Sequence, residues 1–229
     1  MIKLSFYLYL FHMVSFSLAN SSEILTLGID ISHHQGAIEW NLLKTQGVKF
    51  VYIKATEGQT FRDSMFSTNI TIARENGLCV GAYHYFTFCT PGEEQFKNYY
   101  KYVPVTAGDL PPVVDVEFVG NCRKRPAVDS LHRELDRFLE LTEEHYGVTP
   151  IIYTTEDFYF SYNMSRYKKK GHAFWVRSIR KKPTFIKSGH YLIWQFHIGE
   201  VDGIEKMVDL NFLMTDLDQV PRVRDKKIR

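Results

Sequence analysis

Leu110-Pro111-Pro112-Val113-Val114-Asp115-Val116-Glu117-Phe118 is a run of β-branched and apolar residues entered through a Pro-Pro pair and left through Gly120-Asn121. That pattern reads as a short buried strand over residues 113–118. Side chains alternate across a strand, so Asp115 and Glu117 point to one face, their Cα atoms roughly 6.5 Å apart by strand rise. Two carboxylates buried side by side are costly unless they are paired or employed. Repulsion and low dielectric push at least one pKa upward, toward the range a general acid needs near neutral pH. The alternative reading is a pair of strand-end acids satisfied by Arg or by backbone N–H groups.

Strand and helix signals alternate on both sides of this stretch. Strands are expected at residues 24–31, 49–55, 78–86 and 151–153, and helices at 38–46, 64–76, 91–102 and 126–146. Gly47, Gly77 and Gly147 stand in helix-closing positions, and Pro126 near a helix start. Shorter strands follow at 173–176, 191–196 and 207–210 with little helix between them. Repeated β-α units imply a parallel sheet with right-handed crossovers. The expected fold is therefore α/β, a modified TIM-like barrel whose last part is abbreviated, with a doubly wound open sheet as the alternative.

In a barrel the functional groups gather where strands end. Asp30 on the first strand, Glu57 just past the second, Tyr83 and Tyr85 late on the third, and Asp115 and Glu117 on the fourth all obey that rule. Asp209 and Asn211 fall on the last strand, which closure would set beside the first. Tyr153, Trp175, Trp194 and Gln195 lie at further strand ends. Aromatic faces beside acids suit sugar rings and their glycosidic oxygens.

Length favours one sizeable domain able to bury a core without metals or staples. Residues 1–19 read as a signal peptide: Lys3, an apolar run, then Ser17-Leu18-Ala19 as the cleavage site. No other segment approaches a bilayer span. A secreted chain with no membrane partner after leader removal, and a monomer, is expected. The formal charge of +2 falls to +1 without Lys3, which gives no argument for nucleic acid. Residues 221–229 read as a solvated basic tail. Three cysteines in an exported chain cannot all pair. Cys79 reads as a buried thiol, while Cys89 and Cys122 each follow a strand and would meet at one rim if those strands are neighbours. His33 and His34, taken as strand residues, would face opposite ways. No metal site and no cofactor are expected.

In order along the chain, Gly28-Ile29-Asp30-Ile31-Ser32-His33-His34-Gln35-Gly36, Phe50-Val51-Tyr52-Ile53-Lys54-Ala55-Thr56-Glu57-Gly58 and Gly81-Ala82-Tyr83-His84-Tyr85-Phe86 precede the Asp115-Val116-Glu117 centre. Ile152-Tyr153-Thr154, Phe174-Trp175-Val176, Trp194-Gln195-Phe196 and Val208-Asp209-Leu210-Asn211 follow it. This set resembles glycoside hydrolase family 25, the Chalaropsis-type lysozymes, over residues 24–216. The resemblance implies a (β/α)5(β)3 barrel spanning residues 20–220 and cleavage of peptidoglycan glycan strands between N-acetylmuramic acid and N-acetylglucosamine, with retention at the anomeric carbon. It implies Glu117 as general acid, Asp115 as its partner, and Asp30 and Asp209 as the remaining active-site acids. Both central acids rise from one wall, which favours participation of the substrate's own 2-acetamido group over direct attack by Asp115. A chitinase-like hydrolase is the second reading; the extended acidic motif DxxDxDxE is absent, since Val113 and Val114 precede Asp115. A non-catalytic glycan-binding barrel is the third, opposed by the intact acids.

Overall fold

The computed structural model describes residues 25–179, 181–187 and 189–224; the expected signal peptide and residues 225–229 lie outside them. The chain runs β1 Thr26–Ile31, α1 Trp40–Thr45, β2 Phe50–Glu57, β3 Phe61–Arg62, α2 Phe66–Glu75, β4 Cys79–Tyr85 and α3 Gly92–Tyr102. It continues through β5 Val113–Val116, α4 Val128–Tyr146, β6 Ile151–Thr155, α5 Glu156–Ser161, α6 Ser165–Lys169, β7 Phe174–Arg177, β8 Ile193–Val201 and β9 Ile204–Leu213. Strands β1, β2, β4, β5, β6, β7 and β8 pair in parallel, and β9 returns antiparallel between β8 and β1, closing the sheet. Five β-α units and three helix-free strands make the (β/α)5(β)3 barrel; β3 is a two-residue flap on the end of β2.

Two apolar layers hold it. Outside, helices cover the barrel: α4 buries Leu131, Leu135, Phe138, Leu139, Thr142 and Tyr146, spaced three and four apart on one face, and Gly147 ends it at φ 66°. Inside, Phe50 and Tyr52 of β2 fill the floor with Val113, Ile151, Trp175, Ile193 and Leu213. The strands beside β2 carry glycine where those rings lie. A Cβ on Gly28 would overlap the Phe50 ring, and one on Gly81 the Tyr52 ring.

Several boundaries differ from the sequence reading, each for a physical reason. Strand β5 stops at Val116, so Glu117 stands one residue past the ladder, in the segment that turns through Gly120 (φ 80°). Helices α5 and α6 occupy a stretch whose aromatic richness hides a helical period. Strands β8 and β9 extend well past residues 196 and 207–210 because they form a hairpin that satisfies its own backbone beyond the barrel rim. His33 and His34 sit in a 3-10 turn capped by Ser32, with ring centroids 4.0 Å apart, and do not face opposite ways. Cys79, the first residue of β4, is half-buried rather than buried, because its side chain falls at the barrel's lower edge. Cys89 and Cys122 form a disulfide, Cα atoms 6.4 Å apart, joining the segments after the neighbouring strands β4 and β5. Within the expected tail, Val223 is buried and its N–H donates to the Asp109 carbonyl at 2.9 Å.

Candidate active site

A cleft of about 240 Å³ opens at the carboxyl ends of the parallel strands. It is lined by Asp30, Tyr83, Asp115, Glu117, Tyr153, Trp175, Arg177, Gln195 and Asp209, with Val113, Val119 and Ile198 completing the wall. Asp115 is the last inward residue of β5, and Glu117 the next on that side. The same-face reading therefore holds although the ladder ends between them. Asp30 and Asp209 are direct partners in the β1–β9 register, and β1 and β9 lie across the barrel from β5, which puts the remaining acids on the facing wall.

Asp30 is fixed by a chain of hydrogen bonds whose directions are forced. The Trp175 indole N–H, which can only donate, gives to Asn211 Oδ1 at 2.9 Å. The Asn211 amide N–H₂ therefore faces Asp30 and donates to Oδ2 at 2.8 Å. In parallel, the Tyr153 hydroxyl donates to Gln195 Oε1 at 3.0 Å, and Gln195 Nε2 donates to the same Asp30 oxygen at 3.1 Å. Tyr153, Trp175 and Gln195, which line the cleft, and Asn211 are almost wholly buried, and together they hold an acid in place. Tyr83 is half-exposed in the cleft.

Three other expected residues stand apart from the lining. The Tyr85 hydroxyl donates to the Val119 carbonyl at 2.6 Å and ties β4 to the segment after Glu117. Glu57 pairs with Lys54 at 2.7 Å. A bulge at Ala55 breaks the β2–β4 register, which brings residues 54 and 57, three apart, to one face where a regular strand would separate them. Trp194 alternates with Gln195 and so turns away from the cleft, its indole N–H donating to the Ser178 carbonyl at 2.8 Å.

The electrostatics concentrate on the acids. Glu117 is raised to about 7, chiefly by burial, with Arg177 pulling it down and Asp209 and Asp157 adding to the rise. Asp115 is held well above the usual carboxylate range, first by burial and then by Glu117, against the opposing pull of Lys54. Its Oδ1 is buried and has no hydrogen-bond partner among the described residues. Burial also raises Asp30, helped by Asp209 and opposed by the Asn211 and Gln195 amides. Asp209 is raised by burial and relieved by Arg177. Arg177 was not foreseen. It ends β7 two residues after Trp175, and extending the expected strand by one residue would have placed it on the inward face. Among the described residues no group of three or more His, Cys, Asp or Glu is arranged to hold a metal ion.

A carboxyl raised to about 7, a second raised carboxyl beside it on one wall and aromatic side chains in the lining suit the acid–base cleavage of a glycosidic bond. The comparisons agree. The model of Glycosyl hydrolases family 25 matches residues 29–203. YegX of Escherichia coli strain K12 is 32% identical over 203 residues, 86% of this chain and 72% of its own. Lysozyme M1 of Streptomyces globisporus is 30% identical over 207 residues, 80% of this chain and 66% of its own. A family 25 glycosyl hydrolase from Bacillus anthracis superposes with a TM-score of 0.78 at 35% identity, over 87% of this chain and 94% of that one. The chain belongs to glycosyl hydrolases family 25 and is a glycoside hydrolase of the lysozyme, or muramidase, kind.

Proposed function

We propose that this is a secreted, monomeric muramidase that hydrolyses the β-1,4 bond between N-acetylmuramic acid and N-acetylglucosamine in peptidoglycan, with retention and with participation of the substrate's 2-acetamido group. The observation that carries the mechanism is the unpartnered, buried Oδ1 of Asp115 beside Glu117. Glu117 gives its proton to the glycosidic oxygen as the C1–O bond breaks. The acetamido carbonyl oxygen closes on C1 to form an oxazolinium ion, and Asp115 accepts the hydrogen bond of its now acidic N–H. A carboxylate whose pKa is raised is the stronger acceptor for that hydrogen. Glu117, left ionised, then takes a proton from water as the water opens the ring at C1, restoring the starting configuration. Asp30 and Asp209 hold substrate hydroxyls or water on the facing wall, Tyr83 offers a ring to the sugar, and Glu57, held by Lys54, binds a more distant part of the glycan. No cofactor takes part.

The test is incubation of the enzyme and Glu117→Gln with purified peptidoglycan, followed by mass spectrometry of the fragments. Wild-type protein should release fragments with reducing N-acetylmuramic acid ends, and the variant at most about a thousandth of that rate. Reducing N-acetylglucosamine ends would mean the other bond is cut; binding without fragments would leave a glycan-binding barrel. De-N-acetylated glycan should be cut at a small fraction of the normal rate; equal rates would show direct attack by Asp115 instead.

A further inference from the structure

Residues 158–199 contain nine Lys and Arg and no Asp or Glu. Of the chain's 28 basic and 26 acidic residues this leaves 19 and 26 elsewhere, so a near-neutral protein consists of one segment at +9 and a remainder at −7. Arg177 of that segment lies in the cleft. Arg166 and Lys170 are both committed to Asp136 of α4, at 3.2 and 2.9 Å. Lys168 and Lys169 on α6 and Lys187 in the β7–β8 connection are exposed, and among the described residues none has an acid within ion-pair distance. They share one face: His190, whose N–H donates to the Lys187 carbonyl at 2.9 Å, has its pKa pushed down by desolvation and then by Lys168 and Lys187 together. The same connection carries Phe185, whose ring lies 5.4 Å from Tyr159 and 6.3 Å from Phe160. Phe160 is 63% exposed.

Clustered lysines beside an outward aromatic ring are what an anionic lipid–water interface binds, the cations meeting phosphates and the ring entering the headgroup layer. Position adds a second argument. Lys168 and Lys169 precede the start of β7 and Lys187 the start of β8, whereas Phe160 follows the end of β6 by five residues, so the face runs along the flank of the barrel. The acids of the cleft are repelled by a negative surface that attracts this face, so the flank and not the mouth meets that surface. We infer that the face formed by α5, α6 and the β7–β8 connection docks the enzyme on a bilayer rich in anionic phospholipid, with Phe160 inserted and Lys168, Lys169 and Lys187 paired with lipid phosphates. This replaces the expectation of no membrane partner. It is peripheral contact, since no helix among the described residues is long and apolar enough to cross a membrane. A soluble phosphodiester polymer would satisfy the lysines and leave Phe160 without a role.

The experiment is co-sedimentation of the mature protein with vesicles of equal parts phosphatidylglycerol and phosphatidylcholine, with pure phosphatidylcholine vesicles and inorganic polyphosphate in parallel arms. The mixed vesicles should bind and the neutral ones should not, with binding lost on raising salt. Lys168→Glu, Lys169→Glu and Lys187→Glu combined should weaken vesicle binding by about a hundredfold, at roughly fivefold or more per cation. Phe160→Ser should weaken it about tenfold without changing the salt dependence. Unaltered hydrolysis of solubilised peptidoglycan and an unaltered melting curve would show the variants folded; if hydrolysis is absent from every protein, the binding result still stands by itself. No binding to the mixed vesicles, or binding indifferent to the triple reversal, overturns the inference. So does equal binding to polyphosphate with Phe160→Ser unaffected, which would assign the face to a soluble polyanion.

Discussion

Arg177 stands among four carboxylates and, among the described residues, closes an ion pair with none of them. Its charge nonetheless favours the ionised forms of Glu117 and Asp209. Glu117 acts as an acid only while protonated, so the alkaline limb of the kcat/KM profile follows its pKa of about 7. Arg177→Gln removes a force that lowers that pKa, and the limb should move to higher pH by about one unit. Arg177→Lys, which keeps the charge, should stay near wild type. A stationary limb in the glutamine variant would reduce Arg177 to a packing residue. The acids themselves were legible because strand alternation and strand ends locate them without any coordinates. Arg177 is not legible, because the apolar run that marks β7 ends at Val176 while the strand continues one residue further. That Trp175 and Asn211 also orient Asp30 is not legible for a different reason. A sequence shows that an aromatic residue lies near an acid, but not that an asparagine between them turns its oxygen to one and its nitrogen to the other.

At the scale of elements, the barrel floor depends on small residues lying beside large ones. Gly28 of β1 and Gly81 of β4 flank β2 and leave room for Phe50 and Tyr52, which are almost wholly buried. Gly28→Ala should cost about 1–3 kcal/mol by overpacking, read as a shift in urea midpoint at unchanged slope. Phe50→Leu introduced with it should recover part of the loss, and additive losses would deny the contact. A second constraint holds the exit of β5. The Cys89–Cys122 disulfide and Asn121, whose Nδ2 donates to the Glu117 carbonyl at 3.1 Å and the Phe86 carbonyl at 2.8 Å, clamp the segment that carries the acid. Replacing both cysteines by serine should lower stability by about 2–4 kcal/mol and reduce kcat more than it raises KM, because the acid is displaced while the rest of the cleft stays. Unchanged kcat would confine the disulfide to stability. The order of strands and the pairing of these cysteines could be read from alternation and turn residues. The bulge at Ala55, which sets Lys54 beside Glu57, could not, since an extra residue in a strand leaves no mark in composition. The short helices α5 and α6 were hidden similarly: at five or six residues they span fewer than two turns, too few to display a period.

Over the whole molecule, a cleft built for chemistry works against folding, and the sign of that cost can be fixed. Asp30, Asp115, Glu117 and Asp209 all have folded-state pKa values above those of free carboxyls. Such groups contribute stability in full below their unfolded pKa and lose it as pH rises through the folded value. For Glu117 the window runs from the ordinary glutamate value of 4.5 to about 7. Buried histidines act in the opposite direction. His84, held neutral by burial with its pKa near 3, and His132, also lowered, cost stability as pH falls below 6.5. The net pH profile of the wild type therefore mixes both signs, and only a difference between variants isolates the acid. Glu117→Gln keeps the shape and cannot ionise. It should match the wild type at pH 4 and exceed it at pH 8 by on the order of 2 kcal/mol, or roughly 5 °C in melting temperature for a protein of this size. Calorimetric scans of the two proteins at both pH values measure this directly. A constant gap at all pH values would attribute the effect to packing. A gap that opens only at high pH would show that ionisation of Glu117 in its buried place is what the fold opposes.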